Sequence, residues 1–179
     1  MLRGERVTLR AVERDDMKRL HELYGNVDLA LLGFGAWQPR PMAEFEKFFE
    51  RQMADNADPL FAIEVDGVVI GDAGLHDIDR RSRVAALGIG IYDPSYVGRG
   101  YGREAAALLL DWAFRIQNYQ RIWLDTWATN ERAIRCYRAL GFVEEGRQRQ
   151  QIVVDGQRVD VVLMGLLREE WRAARERNP

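Results

Sequence analysis

At 179 residues, with 28 acidic and 26 basic side chains, two histidines and one cysteine, the chain is long enough to bury a continuous core without staples. A composition of 47% hydrophobic and 30% charged residues excludes a disordered chain, and a net charge of −2 gives no bulk pull toward nucleic acid. Cys136 alone cannot build a disulfide framework, and His21 and His76 lack the spacing of a zinc hydrolase, so no metal site is expected.

Val7, Leu9 and Ala11 alternate with Thr8 and Arg10, the two-residue period of a half-buried strand. Asp15 or Asp16 is placed to cap a helix that carries Met17, Leu20, Leu23 and Tyr24 on one face, because a carboxylate accepts from a helix's first N–H groups. Gly25 to Pro41 has no period, which leaves Phe34 and Trp37 without a place, and Ala43 to Asn56 reads as a second helix. Three antiparallel strands are expected over 60–65, 68–78 and 84–92, the first two joined at Asp66-Gly67, where both residues tolerate positive φ. Tyr101 to Gln117 carries Ala105, Leu108, Leu109, Trp112 and Ile116 at helical spacing, one face for packing on a sheet. A strand over 121–126 and a short helix over 130–140, closed by Gly141, come next. Two strands over 143–154 and 159–165 turn at Asp155-Gly156, and a final helix starts near Leu167.

This order describes one α+β domain over residues 1–179, a sheet covered by helices. The longest apolar run, Ala105 to Leu110, is far too short to span a bilayer, and the charged opening Met1 to Arg6 has no signal-peptide core. No membrane partner and a cytoplasmic location are therefore expected. The arginines of the tail from Arg168 alternate with Glu169, Glu170 and Glu176, the pattern of a solvated helix, so no nucleic-acid partner is expected either.

Between a strand and a helix lies Asp93-Pro94-Ser95-Tyr96-Val97-Gly98-Arg99-Gly100-Tyr101-Gly102-Arg103. Pro94 has no N–H to continue a ladder. Three glycines at alternate positions let the backbone approach a ligand, and the opening helix offers unpartnered N–H groups and a positive dipole end. A diphosphate suits such a place, although a plain glycine-rich turn before an amphipathic helix would look the same. The segment is neither a P-loop, lacking Gly-Lys, nor a dinucleotide fingerprint, having Arg103 where the third glycine belongs.

The run resembles the acetyl-CoA-binding motif of the GNAT superfamily, Gln/Arg-x-x-Gly-x-Gly/Ala, with Gly100 and Gly102 in the glycine places and Val97 where the family has Gln or Arg. The family's second marker is matched by Asn130, Ala133, Tyr137, Gly141 and Phe142, and the likeness covers nearly the whole chain. It is nearest to the branch of polyamine and ribosomal-protein N-terminal acetyltransferases. The resemblance implies a mostly antiparallel sheet with a splayed central strand pair, between which the pantetheine arm of acetyl-CoA lies. It implies that Val97, Gly98, Arg99, Gly100, Tyr101, Gly102 and Arg103 cradle the pyrophosphate, and that Asn130, which by its type equally suits a helix N-cap, hydrogen-bonds the arm with Ala133 beside it. A backbone N–H near Ile91 or Tyr92 is expected to hold the thioester oxygen, with Gly88 and Gly90 allowing close approach.

Acetyl transfer to an amine needs a neutral nitrogen, a polarised carbonyl and a proton for the leaving thiolate. Tyr137 is the candidate acid, since a phenol is protonated at neutral pH. By spacing alone Tyr137 would pass for a core residue beside Ala133, Ile134 and Leu140; the resemblance assigns it the acid's place. Asp77 and His76, near the end of the preceding strand, are the candidate bases. Cys136 points about 100° away from Tyr137 around the helix, and a covalent role for it is not expected. The expected function is direct transfer from acetyl-CoA to a primary amine of a small molecule or peptide, with a non-catalytic acyl-CoA sensor on the same fold as the alternative. Carboxylates of the first half, Asp15, Asp16, Asp28, Glu44 and Glu46, are candidates to line a cationic acceptor site. Homo-oligomers are compatible with all of this.

Overall fold

The computed structural model describes residues 1–27, 38–54 and 57–177. Within them the order is β1 (Leu2–Arg3), β2 (Thr8–Ala11), α1 (Asp16–Tyr24), α2 (Met42–Gln52), β3 (Leu60–Val65), β4 (Val68–Asp79), β5 (Val84–Ile91), a 3-10 turn at Pro94–Tyr96 and α3 (Tyr101–Asp111). Then come a π turn (Trp112–Ile116), β6 (Arg121–Trp127), α4 (Glu131–Ala139), β7 (Val143–Val154), β8 (Gln157–Leu167) and α5 (Arg168–Arg177). The expectations for Asp28, Phe34, Trp37 and Asn56 fall outside the described residues.

The eight strands form one sheet in the order β1-β2-β3-β4-β5-β6-β8-β7. Every ladder is antiparallel except β5–β6, which is parallel and pairs only Val84–Ala86 with Arg121–Trp123. Beyond Ala86 the two strands part, so the splayed central pair implied by the resemblance is present. The turns at Asp66-Gly67 and Asp155-Gly156 hold all four residues at positive φ, and Gly141 closes α4 at φ 99°, as their residue types dictate.

Each face of the sheet buries its own cluster. One contains Ile63, Leu75, Leu87, Leu109, Phe114, Ile122, Ile134 and Leu166 beneath α3 and α4. The other is smaller: Met17, Leu20, Phe49, Ala62 and Val69 under α1 and α2. Leu109 and Phe114 are 0% exposed, and truncating either to alanine costs about 2–5 kcal/mol.

Two local expectations are corrected, and one strand is added. Neither Asp15 nor Asp16 caps α1 by its side chain; Asp16 instead accepts from the Glu13 N–H at 2.7 Å and from the Arg10 guanidinium at 2.7 and 2.8 Å. Burial by itself would raise the Asp16 pKa, but these donors outweigh it and leave the carboxyl below its usual range. The helix expected to reach Gln117 leaves α geometry after Asp111, and the Gln117 N–H bonds to the Trp112 carbonyl five residues back. That wider turn shifts the helical phase, so Ile116 is 58% exposed rather than on the sheet. Finally, β1 pairs Leu2 with Leu9, a two-residue strand too short to show a period.

Candidate functional site

Pro94 ends β5, and Asp93 shapes the turn after it: its side chain accepts from the Ser95 N–H at 2.9 Å and pairs with Arg19 at 2.5 Å. The chain then passes Gly98 (φ 80°) and Gly100 (φ 88°), both left-handed, before α3 begins. Gly100 is the N-cap, so no side chain occupies the helix's first N–H groups. The loop is fastened from behind. Glu104 in the first turn of α3 accepts from the backbone N–H groups of Arg6 and Val7 at 2.7 and 3.0 Å, and Arg6 reaches on to the Arg99 carbonyl at 3.1 Å. Burial alone would raise the Glu104 pKa; the backbone donors and the Arg6 charge hold it below its usual range. A row of N–H groups from 98 to 103 is thereby kept open at a positive helix end, a cradle for a diphosphate.

Where β5 and β6 part, a cavity of about 1240 Å³ opens under α1 and α2; Tyr24, Asp72, Gly88, Tyr92, Asn130 and Tyr137 are among the residues lining it. The Tyr92 N–H donates to the Ile70 carbonyl at 2.8 Å, so it points toward β4. Neighbouring N–H groups along a strand point to opposite edges, which turns that of Ile91 toward the gap. Ile91, not Tyr92, is therefore the strand-end donor facing the parting strands. Asn130 caps α4, accepting from the Ala133 N–H at 3.2 Å. Gly88 is not forced by packing, because a Cβ there would meet His76 only at 3.4 Å. Gly71 is forced, since a Cβ there would lie 1.9 Å from the Gly90 carbonyl oxygen.

Tyr137 lies in the wall, its ring edge-on to Phe142 at 5.8 Å. Burial pushes its hydroxyl pKa up, with Cys136 and Asp125 adding to the shift, so it is a full proton donor at neutral pH. Cys136 is half-buried and burial pushes its thiol up as well, which removes the thiolate that a covalent route needs. His76 and Asp77 sit together, Nδ1 to Oδ2 at 3.1 Å, but their side chains are 50% and 68% exposed. His76 lines the cavity mouth; Asp77 is in left-handed backbone (φ 47°) where the β4–β5 register shifts. Of the first-half carboxylates, Glu44 lines the cavity, whereas Asp16 is spent on Arg10; Asp15 and Glu46 are exposed and Asp28 lies outside the described residues.

Asp72 escapes the sequence reading, and Tyr92 is read there for its backbone N–H alone. Asp72 of β4 accepts a hydrogen bond from the Tyr92 hydroxyl at 3.1 Å. Burial pushes the Asp72 carboxyl up to about 6 against the lowering effect of that bond, and burial, then the Asp72 charge, raises Tyr92. No motif marks an aspartate between two strand residues, so only the depth of the site reveals it.

The sequence pattern of the acetyltransferase (GNAT) domain matches residues 6–143. The chain belongs to the GNAT acetyltransferase family. It is 31% identical over 172 residues to the spermidine N(1)-acetyltransferase of Vibrio cholerae (strain El Tor Inaba N16961), covering 94% of this chain and 96% of that one. It is 29% identical over 174 residues to a putative ribosomal N-acetyltransferase of Bacillus subtilis (strain 168), covering 94% of each. Among solved structures, the spermidine N-acetyltransferase from Vibrio cholerae in complex with CoA and spermine superposes with a TM-score of 0.85 at 30% identity, covering 94% of this chain and 99% of that one. The protein is thus an acetyl-CoA-dependent N-acetyltransferase acting on an amine. No helix among the described residues is long and apolar enough to cross a membrane, and no cluster of potential metal ligands occurs among them.

Proposed function

We propose that residues 1–179 act as one catalytic domain that moves acetyl from acetyl-CoA straight to a primary amine of a polyamine, both substrates being bound together. The observation that carries this reading is the parting of β5 from β6 beside a cavity lined by the half-buried Tyr137, with the Ile91 N–H at the end of β5 turned toward the same gap. The polyamine acceptor draws its support from the spermidine acetyltransferases among the relatives.

In this reading the backbone from Val97 through Gly98, Arg99, Gly100, Tyr101 and Gly102 to Arg103 holds the pyrophosphate, and Asn130 and Ala133 flank the pantetheine arm in the gap. The incoming ammonium gives one proton by way of water to the His76–Asp77 pair at the mouth. The nitrogen lone pair then attacks the thioester carbon, and the carbonyl electrons move onto oxygen, where the Ile91 N–H receives the charge. Collapse breaks the carbon–sulfur bond. The thiolate takes the Tyr137 proton, and Tyr137 recovers one from the nitrogen as the amide forms. One acetamide, one CoA thiol and one released proton balance the ammonium and the thioester.

Initial rates with both substrates varied test this. Intersecting double-reciprocal lines and no acetyl-enzyme in the absence of amine are expected. Parallel lines together with an acetylated Cys136 would overturn direct transfer.

A further inference from the structure

The strand floor of the cavity is almost bare of side chains. On β4 the residues Asp72, Gly74 and His76 share a face, as alternate strand residues must. The β4–β5 register sets them opposite Gly90, Gly88 and Ala86. Asp72 is therefore the one carboxylate on this part of the floor, beside a trough that Gly74, Gly88 and Gly90 keep clear.

Its surroundings leave the charge without a counter-ion. The Tyr92 hydroxyl donates to Oδ1, and no lysine, arginine or histidine of the described residues pairs with Asp72. Arg19 is held by Asp93, the Arg40 guanidinium lies over the Tyr24 ring at 5.1 Å, and Lys47 and Arg51, which also line the cavity, form no ion pair with Asp72. A carboxylate ionised near neutral pH and partly withdrawn from water without a cation carries a desolvation cost. Such groups persist where a ligand completes the pair.

We propose that Asp72, oriented by Tyr92, takes up a second cationic nitrogen of the acceptor, so that the enzyme selects a linear diamine over a monoamine of equal length. This rests on the amine-transfer reading above. Asp72 faces Gly90 across the ladder, and the Ile91 N–H leaves the far edge of β5. The anchored and the reacting nitrogens are then separated by roughly one to two strand spacings of ~4.8 Å, within reach of a short alkyl chain. The anchored nitrogen remains protonated throughout and exchanges no atoms.

The test compares diaminobutane with butylamine as acceptors at saturating acetyl-CoA. The wild type should favour the diamine in kcat/KM by about tenfold or more, the range of a charge-assisted hydrogen bond. Asp72→Asn should collapse that preference toward unity by raising KM for the diamine. Tyr92→Phe, which keeps the ring in place, should erode the preference by about two- to fivefold. Equal use of both amines by the wild type, or equal losses on both in Asp72→Asn, overturns the proposal. Calorimetry of diaminobutane on the CoA complex separates this idea from the one beneath it. Diamine binding that depends on Asp72, in an enzyme that acetylates no amine, would sink the transfer reading and leave the site standing. Acetylation with Asp72-independent diamine binding does the reverse.

Discussion

The loop after β5 and the cavity beneath α1 and α2 meet at the same opening in the sheet, yet they are built by opposite means. The loop works with backbone: left-handed glycines and a helix end without a capping side chain. The cavity works with side chains on a floor of glycines, where Asp72 and His76 come from β4, Tyr92 from the residue after β5 and Tyr137 from α4. A backbone site tolerates changes in its side chains provided the glycines stay. A side-chain site fails or shifts specificity when one functional atom is removed.

The largest effect expected from that contrast is at Tyr137. Tyr137→Phe keeps the ring against Phe142 and deletes only the hydroxyl, so kcat should fall by roughly 10² to 10⁴ while CoA affinity and melting temperature barely move. Turnover and thermal melting on one preparation decide it. A variant that melts like the wild type and turns over at full rate would remove Tyr137 from the chemistry.

On the backbone side the sharpest test is Gly100→Val. At φ 88° a β-branched residue is strained, and its Cβ would press on Arg6 Nη2 at 3.2 Å, disturbing the fastening of the loop. Calorimetry should show CoA affinity lowered about tenfold or more, in line with ~1–3 kcal/mol of backbone strain, whereas Val97→Ala should change little. If the two variants bind CoA alike, the loop does not act through its backbone.

The smallest effect runs opposite to the first. The folded-state pKa of Asp72, about 6, lies above its ordinary value of 3.8, so the folded protein holds a proton that the unfolded chain has released. Stability contributed by this group is therefore lost as pH rises from about 4 to 6. Asp72→Asn, spared the ionisation, should be more stable than the wild type above pH 6 by about 1–2 kcal/mol, the ~3 kcal/mol of the full shift reduced by the partial exposure of the carboxylate. The advantage should vanish below about pH 4. Melting temperatures across that range check it, and a variant less stable at neutral pH would mean the carboxylate is structural.

The loop was legible in the sequence because its requirements are local. Pro94 must end a strand, and Gly98 and Gly100 supply left-handed turns wherever they stand. The paired turns at Asp66-Gly67 and Asp155-Gly156 were legible for the same reason. The π turn was not, because one inserted residue leaves the hydrophobic spacing of Ala105 to Trp112 untouched and misplaces only Ile116. The Asp16–Arg10 pair was hidden too, since it joins a strand to the helix after it and overrides the expected cap.

By itself the sequence determined the order of elements after β1, the turns and the left-handed glycines of the loop after β5, all set by chain neighbours and backbone stereochemistry. Only the tertiary structure decided which face of β4 lies under α1 and α2. With that it decided that Asp72 is half-buried in the cavity while the side chains of His76 and Asp77 are largely in solvent. It also decided that the Ile91 N–H, not that of Tyr92, faces the gap. Burial and hydrogen-bond direction depend on what packs from distant parts of the chain, and no local pattern records them.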